Sequence, residues 1–307
     1  MLSLQAMTAY SQISANRTKT WLIMLLFAVF ITFLVYIFTR ALGLEGPSAL
    51  GFTGLALIIA GLMNIGSYYY SDRIVMAISQ AKRIEKKDAP DLFRIVENLS
   101  IAQGSPIPKV YLIDDTAINA FATGRNPDHA AIAVTRGTIE KLEKLELEGV
   151  IAHELSHIKN YDTRLLTIVS ILVGMIALLA DMFIRLTWFG SRDNDRDRSG
   201  AAIFMLIALI LAFLSPIVGM LIQLAISRKR EFLADAAGAL LTRHPDGLAD
   251  ALEKIAKDTE PLEVANKATA HLYIANPLKG QRGVSWFANL FSTHPPIEER
   301  ITVLQAM

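Results

Sequence analysis

The chain contains no cysteine and carries almost no net charge. Without cysteine it can form no disulfide framework, no thiolate nucleophile and no cysteine-ligated metal site. Its 30 basic and 29 acidic side chains give a formal charge of +1, so no overall electric field points to nucleic acid or to an acidic substrate. We therefore expect no nucleic-acid partner, and any metal ligands must come from the six histidines and the carboxylates.

Apolar residues, in contrast, make up 52% of the chain, and the mean hydropathy is +0.38. A soluble protein of this length can bury a large core without such a composition, so part of the chain is expected to lie in lipid. Four hydrophobic runs account for the excess: 21–38, 49–70, 165–189 and 201–226. The first has no charge inside it and is long enough to span a bilayer as a helix. It ends without a cleavage site, which favours an uncleaved anchor over a signal peptide.

The other three runs contain polar or aromatic residues that are compatible with membrane-spanning helices. The second ends in three consecutive tyrosines, a residue type that favours the membrane–water interface. The third contains Asp181 and Arg185, which are four residues apart and could pair on one helix face. The fourth contains Pro216 and Gln223, and lipid-embedded helices tolerate a proline when neighbours cover the freed carbonyl. These residues leave open an alternative for the last two runs, a buried hairpin of a soluble domain.

Lysines and arginines near the ends of the runs indicate the orientation, because short cytoplasmic segments carry an excess of them. They precede the first run, follow the second and follow the fourth, whereas only Arg40 lies between the first two runs. The pattern predicts four spans, with both termini in the cytoplasm and the protein in the cell (inner) membrane. It predicts an N-terminal transmembrane hairpin (1–72), one half of a soluble domain (73–164), a second membrane hairpin (165–226) and the other half (227–307).

The soluble part is expected to contain both strands and helices. Residues 109–113, 118–123 and 129–135 have the composition of strands, and the last two are separated by turn residues. From 139 to 160 the apolar spacing becomes helical. We expect an α+β fold that is mainly helical, with a small antiparallel sheet.

The predicted helix contains the sequence His153-Glu154-Leu155-Ser156-His157. Histidines four residues apart lie on the same helix face, so both imidazoles can reach one ion. Glu154 is placed to take a proton from water at the metal and to pass it to a leaving amine. Zinc fits best, because two imidazoles and a carboxylate leave a fourth position open. The pattern predicts one zinc ion per chain; the alternative is a solvated helix with two surface histidines.

The third metal ligand is not determined by the motif. Asn160 and Thr163 stand where metzincins continue with glycine and histidine, so that class is excluded. A carboxylate from a later helix is the usual alternative, and spacing alone does not choose among Glu231, Asp235, Asp246, Asp250 and Glu253. One argument favours Glu231: a membrane hairpin that starts after His157 would bring the chain back near the site at that point.

Residues 227–235 (Ser-Arg-Lys-Arg-Glu-Phe-Leu-Ala-Asp) resemble the Arg-x-x-Glu-Phe-x-Ala-Asp signature of HtpX-type membrane metalloproteases, which are relatives of the prenyl-protein (CAAX) endoproteases. Three further segments match in the same order: 119–124 (Asn-Ala-Phe-Ala-Thr-Gly), the zinc helix, and 292–301 (Ser-Thr-His-Pro-Pro-Ile-Glu-Glu-Arg-Ile). The length and the hydrophobic layout agree as well, so the resemblance covers essentially the whole chain.

The resemblance implies a zincin-like catalytic domain and a metal site within it. His153, His157 and Glu231 would be the zinc ligands, and Glu154 would be the general base. Asp235, one turn beyond Glu231, would orient a ligand histidine or assist proton transfer. Its alternative is an ordinary surface position on a helix.

The resemblance also implies three residues that handle the substrate. Asn119 would lie on an edge strand and bind an extended substrate by strand addition, or else simply end a strand. His294 would hold the scissile carbonyl or its oxyanion, or else have a structural role before Pro295. Arg230 is assigned to the substrate-binding group, where it could pair with a carboxylate; a juxtamembrane anchor is the alternative.

Together these features predict a membrane-embedded zinc endopeptidase whose site faces the cytoplasm. The resemblance implies quality control, with misfolded membrane proteins or unfolded polypeptides as substrates. A site close to the bilayer also has a high effective concentration of membrane-tethered chains. Two alternatives stay open. One is a CAAX-type processing protease, whose family members are longer and have more spans. The other is a non-enzymatic metal-binding membrane scaffold, which would have no use for a base such as Glu154.

Overall fold

A computed structural model describes residues 9–41, 46–172, 228–264, 269–275 and 295–307 of the chain. These residues are mainly helical and include one small sheet. The helices are α1 (Ala9–Ala41), α2 (Pro47–Tyr69), α3 (Ser71–Ile78), α4 (Pro90–Gln103), α5 (Arg136–Lys141), α6 (Lys144–Lys159), α7 (162–172 within the described part), α8 (Arg228–Thr242), α9 (Pro245–Lys257) and α10 (Ile297–Gln305). The strands are β1 (Lys82–Arg83), β2 (Lys109–Ile113), β3 (Ala120–Gly124) and β4 (Ala130–Thr135).

Helices α1, α2 and α7 form one apolar layer. Trp21 of α1 stacks on Tyr68 of α2 with ring centroids 6.0 Å apart. The buried Asn64 side chain donates from Nδ2 to the Met24 carbonyl at 3.1 Å, which satisfies a polar group inside the layer. Two buried residues of α7, Ile168 and Leu172, belong to the same cluster. The described start of the third hydrophobic run therefore lies against the first two runs.

The outer faces of α1 and α2 are strongly apolar. Large exposed side chains there include Trp21, Leu25, Phe33, Leu57, Ile58 and Leu62. Among the described residues, only Asn16–Phe33 has the length and composition of a membrane span, and the apolar part of α2, Thr53–Tyr69, is shorter. The four-span arrangement stays a prediction, and residues 173–226 of the third and fourth runs lie outside the described part.

The sheet has the strand order β1-β2-β4-β3. β2 matches the predicted strand 109–113, while β3 and β4 begin one or two residues later than expected. The prediction of an antiparallel sheet is wrong, because β2 and β4 are parallel while the other two pairs are antiparallel. The pattern of strands along the chain predicts where strands occur but neither their lateral order nor, therefore, their relative directions. β4 takes the central position, where its six residues are all buried.

The two faces of the sheet pack against different helices. On one face, Val110 and Ile132 join a core with α4, α6 and α9. On the other face, Phe121 and Ala133 pack with α3 and α7. Phe121 also meets the Tyr273 ring edge-on, with centroids 4.9 Å apart. The long helix α6 is therefore held directly beneath the edge strand β3.

The predicted helix 139–160 is interrupted, so the structure has two helices there. Leu142 leaves the helical conformation, and α6 starts afresh with a capping box, in which the Glu146 side chain accepts from the Glu143 backbone N–H at 2.6 Å. Lys254 of α9 also binds Glu146, at 2.7 Å. The capping residues give α6 its own start and fix it against α9.

Candidate metal centre

Helices α6 and α8 bring His153, His157 and Glu231 together. Single donor atoms of the three side chains lie within 4.8 Å of one another, and all three are buried. The two histidine Nε2 atoms are 3.1 Å apart. Glu231 Oε2 lies 3.8 Å from His153 Nε2, and Oε1 lies 3.6 Å from His157 Nε2. Of the five acidic residues that spacing left open, Glu231 is the one found with the two histidines in the described part of the chain.

Close approach of the two helices depends on Gly238. A Cβ at this position would lie 3.2 Å from the backbone nitrogen of His153, which is tighter than ordinary side-chain contacts. α8 can thus pass close to α6 beside the first histidine. Glu231 and Asp235, which lie on the same face of α8, then both reach the histidines.

Asp235 holds His153 from behind. His153 Nδ1 lies 2.9 Å from Asp235 Oδ1. Arg300 of α10 binds this carboxylate in a two-pronged ion pair, at 2.8 Å from Nε to Oδ2 and 2.6 Å from Nη2 to Oδ1. All three side chains are buried. The arginine supplies the counter-charge that a buried carboxylate needs, and it leaves Oδ1 facing the imidazole.

His157 has a matching partner, Asp162, at the start of α7. His157 Nδ1 lies 3.1 Å from Asp162 Oδ2. The other carboxylate oxygen, Oδ1, accepts from Asn16 Nδ2 of α1 at 2.8 Å and from Arg230 Nη1 of α8 at 3.0 Å. Arg230 Nη1 also donates to Asn16 Oδ1 at 2.8 Å. Nδ1 of each histidine therefore contacts an aspartate, and each aspartate in turn contacts an arginine.

These contacts determine which nitrogen of each ring carries a hydrogen. A carboxylate only accepts, so Nδ1 of both His153 and His157 must be the N–H donor. The two Nε2 atoms then face each other at 3.1 Å, and they lie 3.8 and 3.6 Å from the Glu231 carboxylate oxygens. Three acceptor groups this close repel one another unless a cation lies between them. The three side chains therefore fit a metal ion as its ligands.

The electrostatics of the cluster show the same need for positive charge. Burial is the largest influence on both rings and opposes protonation; it lowers the pKa of His153 to about 4, although Asp235 acts in the other direction. At His157 the carboxylates of Glu231 and Asp162 outweigh burial and raise the pKa to about 9. Burial alone would raise the pKa of Asp235, but the charge and hydrogen bonds of Arg300, together with the hydrogen bond from His153, lower it to about 2. Asp235 is therefore a carboxylate at neutral pH.

Glu154 is a buried neighbour of this group. It follows His153 on α6, is 2% exposed, and is close enough to add to the raised pKa of His157 and that of Arg300. A buried carboxylate next to the candidate metal-binding histidines has the position that a general base would require.

Asn119 directly precedes β3, which is an edge of the described sheet. Its side chain is already bonded, because Nδ2 donates to the Ala275 carbonyl at 3.2 Å. The neighbouring Ala120 carbonyl, which points away from β4, accepts from Ile274 N–H at 2.9 Å. The next outward-facing residue, Ala122, has no such bond to another described residue. The chain thus occupies the first part of the edge with its own segment 269–275.

Three residues around the histidines were not predicted from the sequence: Asn16, Asp162 and Arg300. Arg300 stands within the fourth matching segment, and Asp162 follows His157 by little more than one helical turn, so both offered a signal. Asn16 offered none, since its contacts span 144 and 146 residues of sequence. Arg230 is buried with its Nη1 atom on Asp162, and the predicted substrate-binding role stays a prediction. His294 lies outside the described residues.

Comparison with known proteins decides the family. The model of peptidase family M48 matches residues 86–307. The chain belongs to this family. Within M48 it is of the HtpX type. A protease HtpX homolog of Dictyoglomus thermophilum is 44% identical over 300 residues, which cover 98% of this chain and 95% of the relative. A second, from Tropheryma whipplei, is 45% identical over 303 residues, covering 97% and 98%.

Among solved structures, the crystal structure of S. mikatae Ste24p is similar, with 17% identity and a TM-score of 0.48. The match covers 94% of this chain and 67% of that one. Membership of M48 makes the chain a metalloprotease that acts on polypeptides with a divalent metal. It confirms the predicted resemblance to the HtpX-type enzymes.

Proposed function

We propose that the chain is a membrane-integrated zinc endopeptidase with His153, His157 and Glu231 as metal ligands and Glu154 as general base. The observation that carries this proposal is the convergence of the three donor side chains, with both Nδ1 atoms bonded to carboxylates. Two imidazoles and one carboxylate form the ligand set that zinc takes in hydrolytic sites with an open fourth position.

Each surrounding side chain has a separate task in this mechanism. Zinc, when bound, supplies Lewis acidity toward water and the scissile carbonyl. Glu154 accepts the proton of the attacking water at its carboxylate and passes it to the amine nitrogen that leaves. Asp235 and Asp162 keep both histidines in the tautomer that offers Nε2. Arg300 and Arg230 pair with these aspartates and orient them toward the histidines. His294 is proposed to stabilise the oxyanion.

We place the substrate along the outer edge of β3, next to α6. An extended peptide would add to this edge by backbone hydrogen bonds. The Ala120 carbonyl already accepts from Ile274 N–H, and Gly124 N–H donates to Thr167 Oγ1 at 3.4 Å. Ala122 lies between these two positions, so we propose that the substrate backbone bonds to Ala122. Asn119 then acts indirectly, by holding the 269–275 segment in place.

The site is proposed to lie at the cytoplasmic surface of the bilayer. Asn16, which contacts Asp162, precedes the exposed Trp21 of α1 by little more than one helical turn. Beyond Trp21 the outer face of α1 is apolar, as a lipid-facing helix requires. This proximity favours misfolded membrane proteins as substrates. We retain the division into membrane hairpins (1–72 and 165–226) and catalytic halves (73–164 and 227–307) as part of the proposal.

Metal removal tests this function. The detergent-solubilised chain is incubated with unfolded casein, then with a chelator, and finally with zinc added back. We expect cleavage that stops in the chelator and returns with about one equivalent of zinc per chain. Cleavage that continues after all metal has been removed would contradict the proposal, as would restoration by Mg²⁺ alone but not by zinc.

Asn16 offers a separate test, because it connects the first hydrophobic helix to a metal ligand through Asp162. Asn16→Ala removes two hydrogen bonds to the Asp162–Arg230 pair and loosens His157. Outer-shell partners of metal ligands typically contribute 10–100-fold to metal affinity, so we expect zinc binding to weaken by about this range. Competition with a zinc chelator, in the Glu154→Gln background to prevent self-cleavage, measures the affinity.

Thr18→Ala is the matched control. Thr18 lies on the same helix, is exposed, and among the described residues bonds only to the Ser14 carbonyl of its own helix. It should leave zinc affinity unchanged. Equal affinities for the Asn16 and Thr18 variants would show that α1 does not support the metal site.

A further inference from the structure

Arginine side chains converge where α1, α7 and the β3–β4 turn meet. The Arg17 guanidinium lies 5.2 Å from the centroid of the Tyr161 ring. The Arg164 guanidinium lies 4.8 Å from the same ring and 5.8 Å from the Tyr68 ring. Arg164 Nε donates to the Arg125 carbonyl at 2.6 Å, which brings the turn to this junction. Three cations are thus gathered around aromatic rings.

No acidic side chain balances this charge within the described part of the chain. The Arg17 guanidinium contacts the Tyr161 ring. The Arg125 guanidinium contacts the Tyr69 ring, and Arg125 Nη1 donates to the Tyr69 carbonyl. Arg164 is only 8% exposed and has carbonyl and ring partners but no carboxylate. Burying a cation without an anion is unfavourable, and cation–π contacts offset only part of the cost.

The three charges are close enough to affect one another. Burial lowers the pKa of Arg164, and the charges of Arg17 and Arg125 lower it further. A bound anion would replace this repulsion with attraction. Guanidinium groups have the planar donor geometry that matches phosphate oxygens.

The backbone at the junction is also unusual. Tyr161, between α6 and α7, has a φ of 60°, in the left-handed region that residues other than glycine seldom adopt. Such a conformation persists when its surroundings fix it, and it occurs often at ligand-binding positions. Here it holds the ring that both Arg17 and Arg164 contact.

The position of the junction indicates where the anion would come from. Tyr68 stacks on Trp21, and both Trp21 and Tyr69 are more than half exposed. Tryptophan and tyrosine favour the headgroup level of a bilayer. The exposed apolar side chains of α1, such as Leu22 and Leu25, follow directly. At this level, the abundant anion is a lipid phosphate.

We propose that Arg17, Arg125 and Arg164 form a binding site for the phosphate of an anionic phospholipid. The bound headgroup neutralises the cluster and fixes α1 against α7. Arg164 follows Asp162 on α7, so the lipid also stabilises the element that holds His157. The site is separate from the catalytic groups. It rests on the proposed place of α1 in the membrane and does not depend on the proposed peptidase chemistry.

Thermal unfolding of the full chain tests the proposal. The Glu154→Gln variant in detergent is titrated with phosphatidylglycerol, with phosphatidylcholine, or with inorganic phosphate. We expect phosphatidylglycerol to raise Tm in a saturable way and the other two to have little effect. Each arginine near an anionic lipid surface contributes about 1 kcal/mol, so Arg17→Gln should raise the half-saturating lipid concentration about fivefold. Arg125→Gln, in the turn, should do the same.

Arg73→Gln is the matched control, since Arg73 is exposed and stacks on Tyr70, 5.8 Å from the ring centroid, outside the cluster. The Arg73→Gln variant should have the same half-saturating phosphatidylglycerol concentration as the chain in which Arg17, Arg125 and Arg164 are intact. The proposal is overturned if Arg17→Gln and Arg125→Gln both keep the same half-saturation as Arg73→Gln, or if phosphatidylcholine raises Tm equally. An equal rise with inorganic phosphate would overturn the assignment to a lipid headgroup.

Discussion

Glu231→Ala is expected to empty the metal site. The variant leaves two imidazoles, with Nε2 atoms 3.1 Å apart, and no anionic ligand beside them. The Glu231 side chain is almost fully buried, so solvent does not replace its oxygens in the same geometry. Loss of a direct ligand should exceed the roughly 10–100-fold effect of outer-shell partners. We expect less than about one tenth of an equivalent of zinc after dialysis against a weak chelator, measured by inductively coupled plasma mass spectrometry.

Glu253→Ala serves as the control for this experiment. The sequence alone allowed Glu253 as a ligand, but the structure places it on α9, where it pairs with Lys257 at 3.3 Å. This variant should retain one equivalent of zinc. Full zinc content in the Glu231 variant would remove Glu231 from the ligand set. Loss of zinc from the Glu253 variant would show that Glu253 also supports the metal.

Glu154→Gln is expected to abolish peptide cleavage while zinc stays bound. Glutamine has nearly the same shape as glutamate but cannot accept the proton from water at neutral pH. General acid–base groups contribute about 10²–10⁴-fold to rates, so cleavage of an unfolded protein should fall by that factor. The measurement is kcat/KM on casein together with zinc content of the same preparation.

Glu148→Gln is the matched control on the same helix. The Glu148 side chain is more exposed than that of Glu154, and its Oε1 atom lies 3.9 Å from Lys144 Nζ. Glu148 also precedes both histidines in the sequence. The Glu148→Gln variant should cleave casein with the same kcat/KM as the unsubstituted chain. If the Glu154 variant cleaves as fast as the Glu148 variant, another group acts as the base. If the Glu154 variant loses its zinc, the carboxylate supports the metal instead of the reaction.

The sequence predicted the local elements of the catalytic part better than their arrangement. β2 and the helix with His153 and His157 follow from residue type and spacing, which act over a few residues. The central position of β4 depends on which strands meet in space, and the parallel pairing of β2 with β4 was therefore missed. The break at Leu142 depends on a capping box that apolar periodicity does not record.

The metal centre shows the same difference between local and distant information. The His153–His157 spacing lies within one helix, and the acidic candidates for the third ligand could be named from spacing but not separated. Asn16, in contrast, reaches Asp162 across 146 positions of sequence. No periodicity or short motif carries such a contact. Sequence placed Arg230 near a carboxylate and Arg300 in a matching segment, but which aspartate each of them contacts depends on the three-dimensional arrangement.

Zinc K-edge X-ray absorption on the purified chain tests the central claim most directly. The spectrum of the Glu154→Gln variant, loaded with one equivalent of zinc, reports the number and type of ligands. We expect two imidazole nitrogens and a coordination shell otherwise made of oxygen, and hardly any zinc signal from the Glu231→Ala form. A spectrum with fewer than two imidazoles, or one unchanged by removal of Glu231, would contradict the central claim.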